Sequence, residues 1–283
     1  MRLLETRPGD DGLPGPERLL AVLALVTGTL MAVVDTTMIN LALPTIAADL
    51  NVPASRAVWI TNLFQVVCAA FLLVFAGISE LITRRRLYLF GLGTFVVAAL
   101  GAALSRNLET LLVFRAFQGL GAAATLSIGP SLYRAIFPSR LLGSALGLSA
   151  LVVAGGYAAG PTLSGVILSF VDWPWLFALN VPLGVCSLWL ASRALPRDTP
   201  RQGSFDTLGA LYSMLMLASF FVAMDAVGHA APLWQSGGWA LLAVGACALF
   251  IHRQRRAPYP LLPLSVFAEK RFTLAVSASG LAF

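Results

Sequence analysis

Residues 23–50 read LALVTGTLMAVVDTTMINLALPTIAADL, a long run of apolar and small side chains with one carboxylate, Asp35, well inside it. A hydrocarbon core about 30 Å thick takes roughly 20 consecutive apolar residues per helix, so the stretch is long enough to cross a membrane. Comparable stretches recur between short charged loops. The spans predicted are residues 19–43, 57–79, 87–104, 110–133, 141–171, 173–194, 207–227 and 238–251, with a ninth beginning near Phe272. Composition agrees, with 58% hydrophobic and 11% charged residues against about 45–50% and 25% in soluble domains. The fold class expected is an all-α polytopic membrane protein. Residues 272–283 are too few to cross a bilayer, so the chain reads as the front of a longer protein, truncated in its ninth helix.

The formal charge of +6 does not point to nucleic acid, because its distribution has another origin. Arg2, Arg7 and Arg18 precede the first span. Arg84, Arg85 and Arg86, then Arg134 and Arg140, then Arg193, Arg197 and Arg201, then Arg253, Arg255, Arg256, Lys270 and Arg271 collect in alternate loops, whereas the opposite loops hold Arg56 and Arg106. This is the positive-inside asymmetry, and it predicts a cytoplasmic N-terminus. Residues 1–17, MRLLETRPGDDGLPGPE, are polar and rich in Pro and Gly, which predicts a disordered cytoplasmic tail. Cys68, Cys186 and Cys247 stand singly in separate spans, without the spacing of a zinc or redox site.

A charge in mid-membrane costs several kcal/mol, from about 2.5–3.5 upward, and such groups are by default paired and functional. Asp35 lies about 24 Å along the first span from its basic end, and Arg115 about 8 Å inside the fourth span from the opposite side, at about 1.5 Å per residue. The two therefore share a depth and are expected to pair. A static ion pair tying two helices is the plain alternative. The proton-sensitive alternative is that protonating Asp35 frees Arg115 to change partners. Gln118 lies one turn from Arg115, and Gly119, Gly121 and Ala122–Ala124 leave room for a neighbouring backbone. In the fifth span Gly156, Gly160 and Ser164 are spaced by four, Gly147 lies nine residues before Gly156, and Pro161 removes a backbone donor; this predicts a tight, bent helix contact. Glu80 and Arg84 can pair at i, i+4, as a solvated helix end or as a latch. Asp225, near His229, can be merely interfacial.

These stretches resemble a known family. VVDTTMINLALPTI is similar to the first-helix motif of the fourteen-helix drug:proton antiporter group of the major facilitator superfamily, through Asp35, Thr37, Asn40, Ala42, Leu43 and Pro44. LLVFRAFQGLGAA resembles the fourth-helix motif through Arg115, Gln118, Gly119 and Gly121. Gly147, Gly156, Gly160 and Pro161 repeat the spacing of the antiporter motif, and WPWLFALNVPLG looks like the entry to helix six through Trp173, Trp175, Phe177, Asn180, Pro182 and Gly184. The loop between helices two and three departs from the group's pattern. Ala76 and Thr83 stand where it has glycines and Leu81 stands for its first arginine, while Glu80 keeps the acid.

The resemblance implies two six-helix domains joined by two extra helices, with alternating access between them. Residues 1–17 then form the tail, 18–195 the N-terminal six-helix domain, 196–271 a linker with helices seven and eight, and 272–283 the start of helix nine, with the C-terminal domain missing. It implies proton-driven export of lipophilic or cationic small molecules across a bacterial inner membrane. Asp35 and Arg115 would couple the proton, Asn40, Trp59, Asn62, Gln65 and Gln118 would line the pathway, and Glu80 with Arg84 would gate it. The proton is the coupling ion, with no cofactor or metal. The alternative is a non-transporting membrane interaction protein or a degraded remnant of such a carrier. An enzyme is not expected: His229 and His252 lie in separate loops, no Ser–His or Cys–His arrangement appears, and no phosphate loop is present.

Overall fold

The computed structural model describes residues 2–200, 204–229, 231–262, 264 and 274. Its α-helices are α1 Gly15–Asp49, α2 Ala54–Ala57, α3 Trp59–Ile82, α4 Arg84–Ala103, α5 Leu108–Ile136, α6 Leu142–Phe170, α7 Pro174–Ala178, α8 Asn180–Ala194, α9 Thr207–Gly228 and α10 Leu233–Arg256. Joining α2 to α3 and α7 to α8 yields eight stretches long and apolar enough to cross a membrane. No strand occurs among the described residues. Helices meet the requirement of lipid that each backbone donor and acceptor be satisfied within the segment. The eight predicted spans are all present, with different ends. α1 continues through Pro44 to Asp49, and α10 begins at Leu233 and runs on to Arg256. The expected ninth span lies outside the described residues, apart from Leu274.

Two compact units divide the chain, Met1–Arg201 and Gln202–Phe283. In the first, α1 packs on α6 and α8, α5 packs on α3 and α4, and α4 packs on α8. Exchanging α1 with α5, α3 with α6 and α4 with α8 maps this pattern onto itself. Such an exchange is the mark of two repeats of three spans, the odd number turning the second repeat upside down.

Small residues set the helix spacing. A Cβ at Gly121 would stand 2.6 Å from the carbonyl of Gly91 on α4, and one at Gly119 would stand 2.5 Å from the carbonyl of Phe64 on α3. The expected contact face of α6 meets α1: a Cβ at Gly156 would come within 2.9 Å of Val33, one at Gly160 would overlap the Thr37 hydroxyl, and Ser164 Oγ donates to Met38 O at 2.9 Å. Gly147 is exposed, with open space where its Cβ would go. Without a hydrophobic drive between helices in lipid, close approach and hydroxyl bonds of this kind hold the bundle. Tyr88 and Ser187 add two more, both donating to Ala24 O, at 3.1 and 3.0 Å.

The N-terminal segment differs from the disordered tail predicted. Arg2–Leu4 is a single 3-10 turn, and Arg18 is fully buried beneath the segment, donating to Leu13 O at 2.7 Å, Leu3 O at 3.0 Å and Glu5 O at 3.2 Å. Asp11 accepts from Ser139 N and Oγ at 2.9 and 2.6 Å, and Arg140 binds Asp10 at 2.8 Å. The Arg140 guanidinium holds the Asp10 carboxyl down at about 2. Composition reported the polarity of these residues but not that a loop more than a hundred residues away supplies complementary groups.

Thr83 separates α3 from α4 at φ 100° and ψ 138°, a backbone region that suits glycine. It stands where the resembling motif has its second glycine. Its hydroxyl caps α4 by accepting from Arg86 N at 3.3 Å.

In the second unit, α9 and α10 pack on each other. Asp206 caps α9, accepting from Gly209 N at 3.1 Å, and also accepts from Arg253 Nε at 2.9 Å and Gln254 Nε2 at 3.3 Å.

Candidate functional site

The buried face of α1 carries Met31, Ala32, Val34, Asp35, Met38, Ile39 and Ala42, and that of α5 carries Leu111, Arg115, Gln118, Gly119 and Ala122. Both follow the i, i+3, i+4, i+7 rhythm of one helical side, with a charged residue placed where an apolar one would otherwise pack. The faces bring Arg115 Nη1 to 2.6 Å from Asp35 Oδ2, and neither side chain has any exposure.

Besides Gln118 on α5 itself, the pair's contacts reach α3, α7 and α8. Arg115 Nε donates to Ile60 O on α3 at 2.9 Å, and Nη1 also donates to Gln118 Oε1 at 2.9 Å. Asp35 Oδ1 accepts from Asn180 Nδ2 on α8 at 2.8 Å and from Gln118 Nε2 at 3.4 Å. The guanidinium carbon lies 4.4 Å from the Phe64 ring centroid and 5.7 Å from that of Phe177, close enough for the ring quadrupole to attract the cation. Arg115 Nη2 and Thr61 Oγ1 are buried with no hydrogen-bond partner among the described residues. One carboxylate thus accepts from α5 and α8, and its counter-ion reaches α3.

Sequence reasoning did not assign Asn180 to the site. A buried amide in an apolar span is a signal of the kind that singled out Asn62 and Gln65, but Asn180 stands 145 residues from Asp35. Of the predicted pathway residues, Gln118 is in the cluster. Asn40 is exposed on α1, about 140° around the helix from Asp35 at five residues' remove. Trp59, Asn62 and Gln65 are half-buried on α3, beside the buried face formed by Ile60, Thr61 and Phe64. Gly156 meets Leu30 and Val33 and Gly160 meets Thr37, two to five residues along α1 from Asp35, and Pro161 is exposed. At the basic end, the Glu80 side chain lies outside the described residues. Arg84 is engaged by Asp198 at 2.9 Å and by Ser131 O at 3.3 Å. A separate cavity of about 200 Å³ opens between α1, α4, α5 and α6, lined by Thr29, Tyr88, Thr125, Pro130 and Tyr133 among others.

Among the described residues, eight stretches long and apolar enough to cross a membrane, with an exchange-related set of six in the first unit, define an all-α polytopic membrane protein. The chain belongs to the Major Facilitator Superfamily, whose description matches residues 25–283. It is similar to the uncharacterized transporter YebQ of Escherichia coli, 37% identical over 96% of this chain and 60% of that protein. It is also similar to the methylenomycin A resistance protein of Streptomyces coelicolor, 31% identical over 89% of this chain and 54% of that protein. The riboflavin transporter RibZ of Clostridioides difficile is 28% identical over 91% of this chain and 56% of that protein. The chain therefore spans only a little over half the length of these relatives.

Proposed function

We propose that these residues form the N-terminal part of a proton-coupled antiporter that exports lipophilic or cationic small molecules by alternating access. The observation carrying this reading is the fully buried Asp35 carboxylate, whose donors come from α5 and α8 while Arg115 keeps one nitrogen uncommitted. Protonation turns a carboxylate from an acceptor into a donor with reduced acceptor capacity. Asn180 and Gln118 then lose part of their partner, and Arg115 loses its counter-ion in a place where an uncompensated charge costs about 3–5 kcal/mol. A change of partners follows, and it moves α1, α5 and α8 relative to one another. That gives a proton a mechanical effect without any cofactor.

Support for export comes from the relative named as a methylenomycin A resistance protein. The roles of Asn40, Trp59, Asn62 and Gln65 in the pathway, of Gly147, Gly156, Gly160 and Pro161 in the antiporter bend, and of Glu80 and Arg84 in a gate belong to the same proposal. So do the bacterial inner membrane and a cytoplasmic N-terminus, which the arginine asymmetry supports. The relative named as a riboflavin transporter favours a second reading, carriage of a planar heteroaromatic.

The test is transport by the full-length protein in everted membrane vesicles, with a fluorescent cation and with riboflavin as substrates. Asp35→Asn is expected to abolish transport driven by a proton gradient. Full gradient-driven transport by that variant would falsify the coupling role, and carriage of riboflavin alone would replace the cationic substrate class.

A further inference from the structure

At the end of the first unit where the arginines collect, α4 begins beside the segment that follows α8. A cavity of about 370 Å³ opens there, lined by Thr83, Arg85, Arg86, Leu89, Arg197, Asp198, Thr199 and Pro200. That volume falls in the range of about 300–1,000 Å³ typical of ligand pockets. Three arginines line it against one aspartate. The aspartate is paired with Arg84, its Oδ2 accepting from Arg84 N at 3.0 Å and from Arg84 Nε at 2.9 Å, while its buried Oδ1 has no hydrogen-bond partner among the described residues. Arg85 donates through Nη2 to Ser192 O, while its buried Nε has no partner among the described residues. The side chains of Arg86 and Arg197 are exposed and make no hydrogen bond or ion pair among the described residues. The cavity also adjoins the first turn of a twenty-residue helix, the positive end of its dipole, where Arg84 N is taken by Asp198 and Arg86 N by Thr83. The side-chain charges of Arg86 and Arg197 hold no other element of the fold among the described residues.

We propose that this cavity binds the phosphate group of an acidic phospholipid headgroup. A phosphate oxyanion is the chemistry that a cluster of guanidinium forks recognises. The surroundings favour a lipid over free phosphate as its source. Leu89 lines the cavity, and the adjoining Phe90 is half exposed. Trp189, on the helix whose Ser192 carbonyl holds Arg85, is 55% exposed and carries the Arg193 guanidinium 5.1 Å from its ring. Exposed tryptophan capped by arginine marks the headgroup level of a bilayer, and basic pockets at that level are where acidic headgroups dock. The site is independent of the Asp35–Arg115 pair and of the direction of transport.

The test is binding of phosphatidylglycerol, phosphatidylcholine and inorganic phosphate to the detergent-purified full-length protein, read by native mass spectrometry and by the thermal midpoint. Phosphatidylglycerol should occupy one saturable site. The double variant Arg86→Gln/Arg197→Gln should weaken it about 10- to 30-fold, from roughly fivefold per arginine near an acidic surface. Arg197→Lys, which keeps the charge, should retain most of the affinity. Removing the same charge at the opposite end, with Arg56→Gln/Arg106→Gln, should leave it within about twofold. Equal affinity of the Arg86/Arg197 double variant and the native protein overturns the site, as does equal binding of phosphatidylcholine. Inorganic phosphate that displaces the lipid and matches its thermal protection overturns the lipid as the source.

Discussion

Two aspartate–arginine pairs, one in each compact unit, are built from the same groups at 2.6 and 2.9 Å and do different work. Asp206 caps the first turn of α9 while Arg253, 38% exposed, reaches it from α10. That aspartate has a local task, and water shares the solvation of its partner. Asp35 lies in the middle of a 35-residue helix with no backbone donor to cap, and both partners are wholly buried. An ion pair that fastens a helix end is replaceable by other fasteners. One that lies in mid-bundle, where apolar side chains would pack without desolvation, has no such local task, and the proton coupling proposed above rests on that difference.

The difference is open to direct attack. The largest effect is expected from Arg115→Leu, which strands Asp35 and should lower unfolding stability by about 3–5 kcal/mol. Arg253→Leu should lower it by no more than about 1 kcal/mol. Chemical denaturation of the detergent-purified protein compares the two, and equal losses would erase the distinction. Adding Asp35→Leu to Arg115→Leu should recover much of the stability, since a buried pair can be exchanged for apolar groups, without restoring proton-driven transport.

Next in size is the α1–α6 contact that runs beside the pair. Gly160→Val forces atoms onto Thr37 and should destabilise by about 1–3 kcal/mol. Gly147→Val meets nothing and should stay within about 0.5 kcal/mol. The smallest change sharpens the roles of the two acids. Asp206→Ala should cost about 1 kcal/mol through the lost cap, and Asp206→Asn, itself a good cap, much less. In the same unfolding assay, an Asn at 206 that destabilises as much as Ala would show that charge, not capping, is what Asp206 supplies.

The sequence displayed the fold and the charged pair because both are governed by strong, local rules. Apolar length alone locates eight spans, and rise per residue alone puts Asp35 and Arg115 at one depth. The pair's remaining partners were hidden because they depend on which faces meet. Asn40 and Asn180 are both amides in apolar spans, yet helical rotation leaves Asn40 exposed and packing turns Asn180 onto Asp35. By sequence Arg18 is one of the charges preceding the first span, whereas three backbone carbonyls from the preceding segment enclose it. No periodicity encodes a contact between an irregular segment and a distant loop. Thr83 is a case in between: the missing glycine is visible in the sequence, but only the backbone shows that the threonine in its place adopts a conformation that suits glycine.

The pair also sets an order for biogenesis. Asp35 and Arg115 are 80 residues apart, and Asn180 follows later still. At about 5–20 residues per second, the ribosome needs roughly 4–16 s to supply the arginine after the aspartate has emerged. During that interval the first span holds an acid without the counter-ion it has in the folded unit. The exchange-related repeats are thus interdependent: the carboxylate buried in the first finds its positive charge only in the second.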